Sequence, residues 1–436
     1  MKPCTDYRQA IQTLHSRRDV LRGFARLAVA GIGSSLFPSL IPRVAFGAGP
    51  ANAQREVIVC VFLRGGADGL SFVAPYTESL YYSNRPTLAI PSPDSTDPLK
   101  GLKLDPQFAL HPSLAGFHEL YTAGSLAVVH GTGSIDPTRS HFDAMRYMEQ
   151  ATPGNKSIAS GWLARHLVSE AVQNASPLRA IGFGGLVQTS LRGAPGLSPI
   201  AIDNIDDFGL DVGDDQAVAM QTALERLYGT VNPSNILGAQ AKLVFDTINQ
   251  LGNIDLANYV PANNALYPEE SELALGLKQT ALLIKADLGL EVACVDIGDW
   301  DTHENAGTND GYLRDHLKEF GDSLAAFVKD MGDAMAHVTV ITMSEFGRRV
   351  QENASKGLDH GHGNVMFIAG GGVNGGQVYA DWKTLADLDD GDLQVTIDQR
   401  VVLWELLSKR IGSTAFTQTF PNFGGAPPPT LGIFKG

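Results

Sequence analysis

A mixed α/β fold around a mostly parallel sheet, with helices on both faces, follows from three observations. Short apolar runs rich in Val and Ile recur along the chain, and longer stretches of helical period separate them. No run of eighteen uninterrupted apolar residues follows the first fifty, so the apolar content builds a folded core rather than a membrane span. The 436 residues, 44% hydrophobic and only 18% charged, are enough to bury a large core and exclude disorder as the main state.

The elements follow in order. Val57–Leu63 is a continuous apolar run, the mark of a strand covered on both faces, and 126–130, Val292–Ile297, 338–343 and 365–369 read the same way. Segments 112–123, 140–150, 270–288, Tyr312–Met331 and 396–411 predict helices. In Tyr312–Met331, Leu313, Leu317, Phe320, Leu324 and Phe327 form a core-facing stripe that needs no cofactor to explain it. Residues 185–265 are less regular and read as a helical insertion or cap. Gly370 to Gly375 satisfies Gly-x-Gly-x-x-Gly, but strand-like Gln377-Val378-Tyr379 follows where a dinucleotide site needs a helix, so this is a turn.

The first 53 residues are a separate object. Ser16-Arg17-Arg18-Asp19-Val20-Leu21 precedes an apolar stretch diluted by Ala, Gly and Ser, and Ala51-Asn52-Ala53 offers a small-x-small cleavage pattern. This is the pattern of a twin-arginine export signal, which implies the Tat translocase as a partner, a periplasmic or otherwise exported destination, and a domain over 54–436 with no stable membrane insertion after cleavage. The segment carries seven basic and two acidic residues, so its removal takes the formal charge from −14 to −19. Nucleic acid and anionic membrane surfaces select basic faces, so an acidic chain points instead to small molecules or metal ions. Cys4 leaves with the signal, while Cys60 and Cys294 lie in apolar runs that suit buried free thiols.

Ligands of open α/β sheets bind beyond the carboxyl ends of the strands, where this chain is strongly polar. Arg64-Gly65-Gly66-Ala67-Asp68-Gly69 follows the first strand, Gly298-Asp299-Trp300-Asp301-Thr302-His303 follows the run at 292, and Ser344-Glu345-Phe346-Gly347-Arg348 follows the run at 338. Asp359-His360-Gly361-His362-Gly363 precedes the run at 365. Carboxylates and imidazoles gathered at one sheet edge call for a cation, so a divalent metal (zinc, manganese, magnesium or calcium) is the economical expectation. In the second loop Asp301 and Asp299 compete, since residues two apart in extended chain share a face and Asp301 can point with His303.

Taken together, His111-Pro112-Ser113-Leu114, Gly124 to Gly131, Thr138-Arg139-Ser140-His141-Phe142-Asp143, Asp301-Thr302-His303, Ser344-Glu345-Phe346-Gly347-Arg348 and Asp359-His360-Gly361-His362-Gly363 resemble the exported bacterial domain-of-unknown-function family numbered fifteen-zero-one. The resemblance spans nearly the whole chain after the signal. It implies an alkaline-phosphatase-like or sulfatase-like three-layer fold, whose superfamily hydrolyses phosphate or sulfate esters at a one- or two-metal site. On that resemblance Asp68, Asp299, Asp301, His303, Glu345, His360 and His362 are candidate metal ligands. Ser140 takes the place of the nucleophile, with Arg139 or Arg348 binding the anion of a small anionic ester. Ser140 reads equally as a helix N-cap. Where metal-dependent phosphatases show Ser-Asp-His-Gly, this chain has Ser344-Glu345-Phe346-Gly347, and Phe346 cannot ligate. One metal is therefore expected rather than two, and a catalytically inactive envelope or assembly protein is the alternative to an exported metal-dependent ester hydrolase.

Overall fold

The computed structural model describes residues 55–435 apart from 171–173, 175, 211–213, 230–235 and 253. The twin-arginine segment and its cleavage pattern lie outside the described residues.

The strands of the main sheet are β1 (Val57–Leu63), β2 (Leu126–Gly133), β3 (Ala180–Phe183), β4 (Ile200–Ile202), β5 (Val292–Ile297), β6 (Val338–Ser344), β7 (Asn364–Gly370), β8 (Val378–Ala380) and β9 (Ile397–Asp398). Their spatial order is β8-β2-β7-β6-β1-β5-β3-β4, with β9 also paired to β2. All the pairings are parallel except those of β7, which runs antiparallel to β2 and β6. β1 is central, in register with β5 from Ile58↔Val292 to Leu63↔Ile297 and with β6 from Val57↔Val338 to Leu63↔Ser344. The carboxyl ends of these three strands therefore open at one edge.

Alternation along β1 explains the layers. Val57, Val59, Val61 and Leu63 enter a core shared with Phe117 of α1 (Ala115–Thr122), Leu277 of α6 (Glu272–Lys285) and Phe320 and Phe327 of α7 (Tyr312–Met331). Ile58, Cys60 and Phe62 face the other way, onto Met148 of α2 (His141–Gln150), Trp162 of α3 (Trp162–Ser169) and Leu403 of α8 (Gln399–Glu405). Helices thus cover both faces of the sheet. Cys60 and Cys294 are free and buried on neighbouring strands.

Where the fold departs from the sequence expectation, the elements are short. β3 and β4 carry too few residues to show a period. The segment read as a helical insertion contributes β4 to the sheet edge before its helices α4 (Asp214–Gly229) and α5 (Ile236–Leu251) begin. The helix expected over 396–411 opens instead as β9, where the Asp398 side chain accepts from Arg400 N–H and starts α8; a π-helical turn at Leu406–Ile411 ends it. Gly370 and Gly372 adopt positive φ in the glycine-rich turn, and β8 follows it as the strand-like sequence requires.

Candidate metal centre

Three strand-end loops and the first turn of α2 converge at the edge where β1, β5 and β6 end. The loop after β5 supplies Asp301 and His303, the stretch before β7 supplies His360, and α2 opens with His141. The His360 Nε2 atom lies 3.0 Å from His141 Nε2 and 3.0 Å from His303 Nε2. Asp301 Oδ1 lies 3.1 Å from His303 Nε2 and 3.4 Å from His360 Nε2, and Asp301 Oδ2 lies 3.7 Å from His141 Nε2. His141, Asp301 and His360 each offer a donor atom within 4.8 Å of the others.

The opposite nitrogen of every ring is engaged. His141 Nδ1 is 2.8 Å from Glu345 Oε1, His303 Nδ1 is 2.9 Å from Asp359 Oδ1, and His360 Nδ1 is 2.9 Å from the Arg139 carbonyl. A carbonyl only accepts, and so does an ionised carboxylate, so these partners place a proton on each Nδ1 and leave Nε2 of His141 and of His303 turned toward Nε2 of His360. Lone pairs 3.0 Å apart repel unless a proton or a cation lies among them.

Asp301 reinforces the case. Its side chain is 1% exposed and pairs through Oδ1 with the fully buried Arg348, 2.7 Å away, while Oδ2 has no hydrogen-bond partner. A buried carboxylate oxygen without a donor is costly to leave, and it faces the imidazoles. Burial pushes the Asp301 carboxyl up, but the adjacent His303 and His360 imidazoles and the Arg348 guanidinium outweigh it and hold the group far below the carboxylate range. The neighbouring Asp301 raises His303, whereas burial lowers His360. Burial acts upward on Glu345 too, and the bond from His141 overrides it, so this carboxyl is lowered as well. The donor set fits a divalent cation, with His141, His303, His360 and Asp301 around it.

Local sequence explains the frame. Gly65 and Gly66 adopt φ of +117° and +67°, which leaves their carbonyls free to accept from Arg348; a Cβ on Gly65 would meet Asp301 N at 2.8 Å, and one on Gly66 would meet the Phe346 ring at 2.5 Å. Arg348 also donates to the Leu358 and Trp300 carbonyls, which locks the guanidinium behind Asp301. The Phe346 ring centroid lies 4.8 Å from that of His141 and 4.9 Å from that of His360, so the residue that replaces a histidine forms an apolar wall of the centre.

The ten candidate residues divide. Asp301, His303 and His360 come together. Glu345 stands one shell out, accepting from His141 and from Gly65 N–H. Asp68 does not face the centre: Arg85 bridges both its carboxylate oxygens, and Ser71 donates to one of them. The cation that this carboxylate requires is an arginine of its own chain. Asp299 is exposed at a φ of +65°, and its carbonyl accepts from the Tyr312 hydroxyl. His362 Nε2 bonds the Ser134 carbonyl at 2.8 Å, away from the three rings. Arg139 pairs with Asp390 and Asp392, and Arg348 is buried behind Asp301, so neither guanidinium is directed at an incoming anion. Ser140 is the exposed N-cap residue of α2, and its side chain makes no capping hydrogen bond. The member of this cluster that the sequence motifs did not single out is His141. Its signal was adjacency to Ser140 in Arg139-Ser140-His141, where the helix start drew the reading toward the hydroxyl.

Among solved structures the chain is similar to a protein of Pyrococcus horikoshii at 12% identity, covering 73% of this chain and 86% of that one with a TM-score of 0.28. It is also similar to a protein of Bacteroides thetaiotaomicron described as a candidate sulfatase, at 12% identity over 86% and 76% of the two chains with a TM-score of 0.31. A 2-O GAG sulfatase matches at 11% identity over 74% and 66%, with a TM-score of 0.27. No curated protein matches the sequence. A family model covers residues 55–400, and the chain belongs to that family, the proteins of unknown function designated DUF1501.

Proposed function

We propose that the chain is an exported, metal-dependent hydrolase of phosphate or sulfate esters. The observation that carries this reading is the convergence of three imidazole Nε2 atoms on a buried carboxylate with an unpartnered oxygen, one residue away from the exposed Ser140 hydroxyl. The resemblance of the strand-end motifs to the phosphatase and sulfatase superfamily supports the ester class. The Arg17-Arg18 run supports export through the Tat translocase, and among the described residues no helix is long and apolar enough to cross a membrane.

The metal would be held by His141, His303, His360 and Asp301, and when bound it would draw electron density from the ester oxygens and offset their charge. The chain's own residues do the rest. Backbone N–H groups in the first turn of α2, which opens at His141 beside the centre, would favour an anion there. Ser140 Oγ, at the same helix end, would form the new bond to phosphorus or sulfur as the ester oxygen leaves with a proton from water, and a water would then attack the same atom, release phosphate or sulfate and return the hydroxyl to Ser140. Because Arg139 and Arg348 are occupied, the helix end and the centre itself bind the transferred group. Phe346 excludes water from one side of the centre.

Turnover of aryl phosphates and aryl sulfates by the metal-loaded protein tests the reading. Activity that chelation abolishes, metal restores, and Ser140→Ala and His303→Ala remove supports it. A metal-loaded protein that turns over neither class sinks it. That result would favour an inactive envelope or assembly protein, the reading that Phe346 packed on two of the imidazoles already favours.

A further inference from the structure

We infer that the centre takes one zinc-class ion, bound by Nε2 of His141, His303 and His360 and by a carboxylate oxygen of Asp301, and that Glu345, Asp359 and the Arg139 carbonyl hold the three rings for it. This rests on the metal-dependent reading above and narrows it to one metal class, one site and a set of positioning residues.

The donor atoms decide the class. Three nitrogens and one carboxylate are a four-donor set, and imidazole nitrogen suits zinc and its borderline neighbours. Magnesium and calcium take six or more oxygen ligands, and the other carboxylates near the edge do not supply them. Asp68 is bridged by Arg85, Glu345 accepts from His141 and Gly65 N–H, Asp359 accepts from His303, and Asp299 points to solvent. Among the described residues the same accounting leaves no donor set for a second ion at this edge. A neighbouring site would need His362, which bonds the Ser134 carbonyl, and the wall where a further histidine could stand is Phe346.

The outer shell is independent of the donor set and points the same way. Each ring gives its Nδ1 proton to an acceptor: Glu345, Asp359 and the Arg139 carbonyl. Imidazoles that ligate a metal characteristically donate their other N–H to a carboxylate or carbonyl, which fixes the tautomer and makes the ligating nitrogen more basic. Three rings oriented in this way bring each Nε2 within 3.7 Å of an Asp301 oxygen, His303 and His360 beside Oδ1 and His141 beside the orphaned Oδ2.

The test uses the whole chain, stripped by a chelator, equilibrated with equimolar zinc, manganese, magnesium and calcium, desalted and analysed for metal. The expected result is one zinc per chain, with the other three ions at trace level. Preference for magnesium, calcium or manganese, two zincs per chain, or no bound metal overturns the inference. His141→Ala should lose the zinc, and His303→Asn reads the same ligand set on a half-exposed ring should the first variant fail to fold. Glu345→Gln should weaken zinc affinity about 10- to 100-fold while the far-UV circular dichroism is unchanged; wild-type affinity would refute its positioning role. His362→Asn should keep the metal, and its loss would mean that the ligand set is wrong. The two proposals fail separately: zinc without turnover refutes the hydrolase and keeps the zinc centre, whereas turnover supported by calcium alone does the reverse.

Discussion

Two carboxylates at the same sheet edge, Asp68 after β1 and Asp301 after β5, meet the same problem in opposite ways. Both are buried and both pair with a buried arginine. Arg85 reaches both oxygens of Asp68, and Ser71 completes the set. Arg348 reaches only Oδ1 of Asp301, because its other donors are held by the carbonyls of Gly65, Gly66, Leu358 and Trp300, so Oδ2 is left without a donor, 3.7 Å from His141 Nε2. An acidic residue at a strand end is therefore a site only where the chain declines to neutralise it. The first pair is a structural lock, and the second is a socket.

The largest effect that can break this comparison is Arg85→Met. If Asp68 belongs to a closed ion pair, removing the arginine leaves an uncompensated buried charge and lowers unfolding free energy by about 3–5 kcal/mol. Burial alone pushes the Asp68 carboxyl up, and it is the Arg85 guanidinium that holds it below its usual range. Urea unfolding reads the loss, and metal content read on the same sample should be that of the wild type. A variant that loses its metal, or that loses less than about 1 kcal/mol, would mean that the two carboxylates share one role.

Acid provides the next test, because neither Asp68 nor Asp301 gains a proton near neutrality while three framework histidines do so on unfolding. Burial lowers His111, His130 and His166 to about 4. Unfolded, each titrates near 6.5, so between those values the unfolded chain binds more protons and stability falls as pH falls. The contribution of these neutral rings is complete above about pH 6.5 and is lost by about pH 4, each adding up to ~1.4 kcal/mol per pH unit inside that window. Urea midpoints at pH 7 and pH 5 should differ accordingly, and His130→Gln should flatten the dependence by one proton. An unchanged slope in that variant would show that the ring is charged in the fold.

What the sequence made legible follows the length of its signals. β1, β5 and α7 are long enough for burial or period to be read, and their observed bounds are those expected. β3 and β4 have four and three residues, which show no period, and the pairing of β3 with β5 and of β4 with β3 is a property of the sheet rather than of the segment. At the candidate centre, motif position at strand ends pointed to Asp301, His303 and His360, which the fold brings within 3.4 Å of one another's polar atoms. It could not tell Asp68 from Asp301, because the difference lies in Arg85, seventeen residues from Asp68 and in no motif. Nor could it choose between Ser140 and His141. A helix start favours a hydroxyl at the N-cap for reasons of capping alone, and the sequence does not say that Glu345 takes the His141 Nδ1 proton.

Ser140 carries the smallest and sharpest prediction. As an N-cap its hydroxyl would accept from the second or third N–H of the helix, and Ser140→Ala would then cost about 1 kcal/mol. Its side chain makes no such bond, and α2 is instead anchored by His141 to Glu345 and by Tyr147 and Met148 in the interior. The expected change in stability is therefore within about 0.5 kcal/mol, the range of surface substitutions, with zinc content unaltered. Against that flat background, loss of ester turnover would mark the hydroxyl as a reacting group. A stability loss near 1 kcal/mol with turnover intact would return Ser140 to capping, and would leave the socket at Asp301 without a nucleophile from the chain.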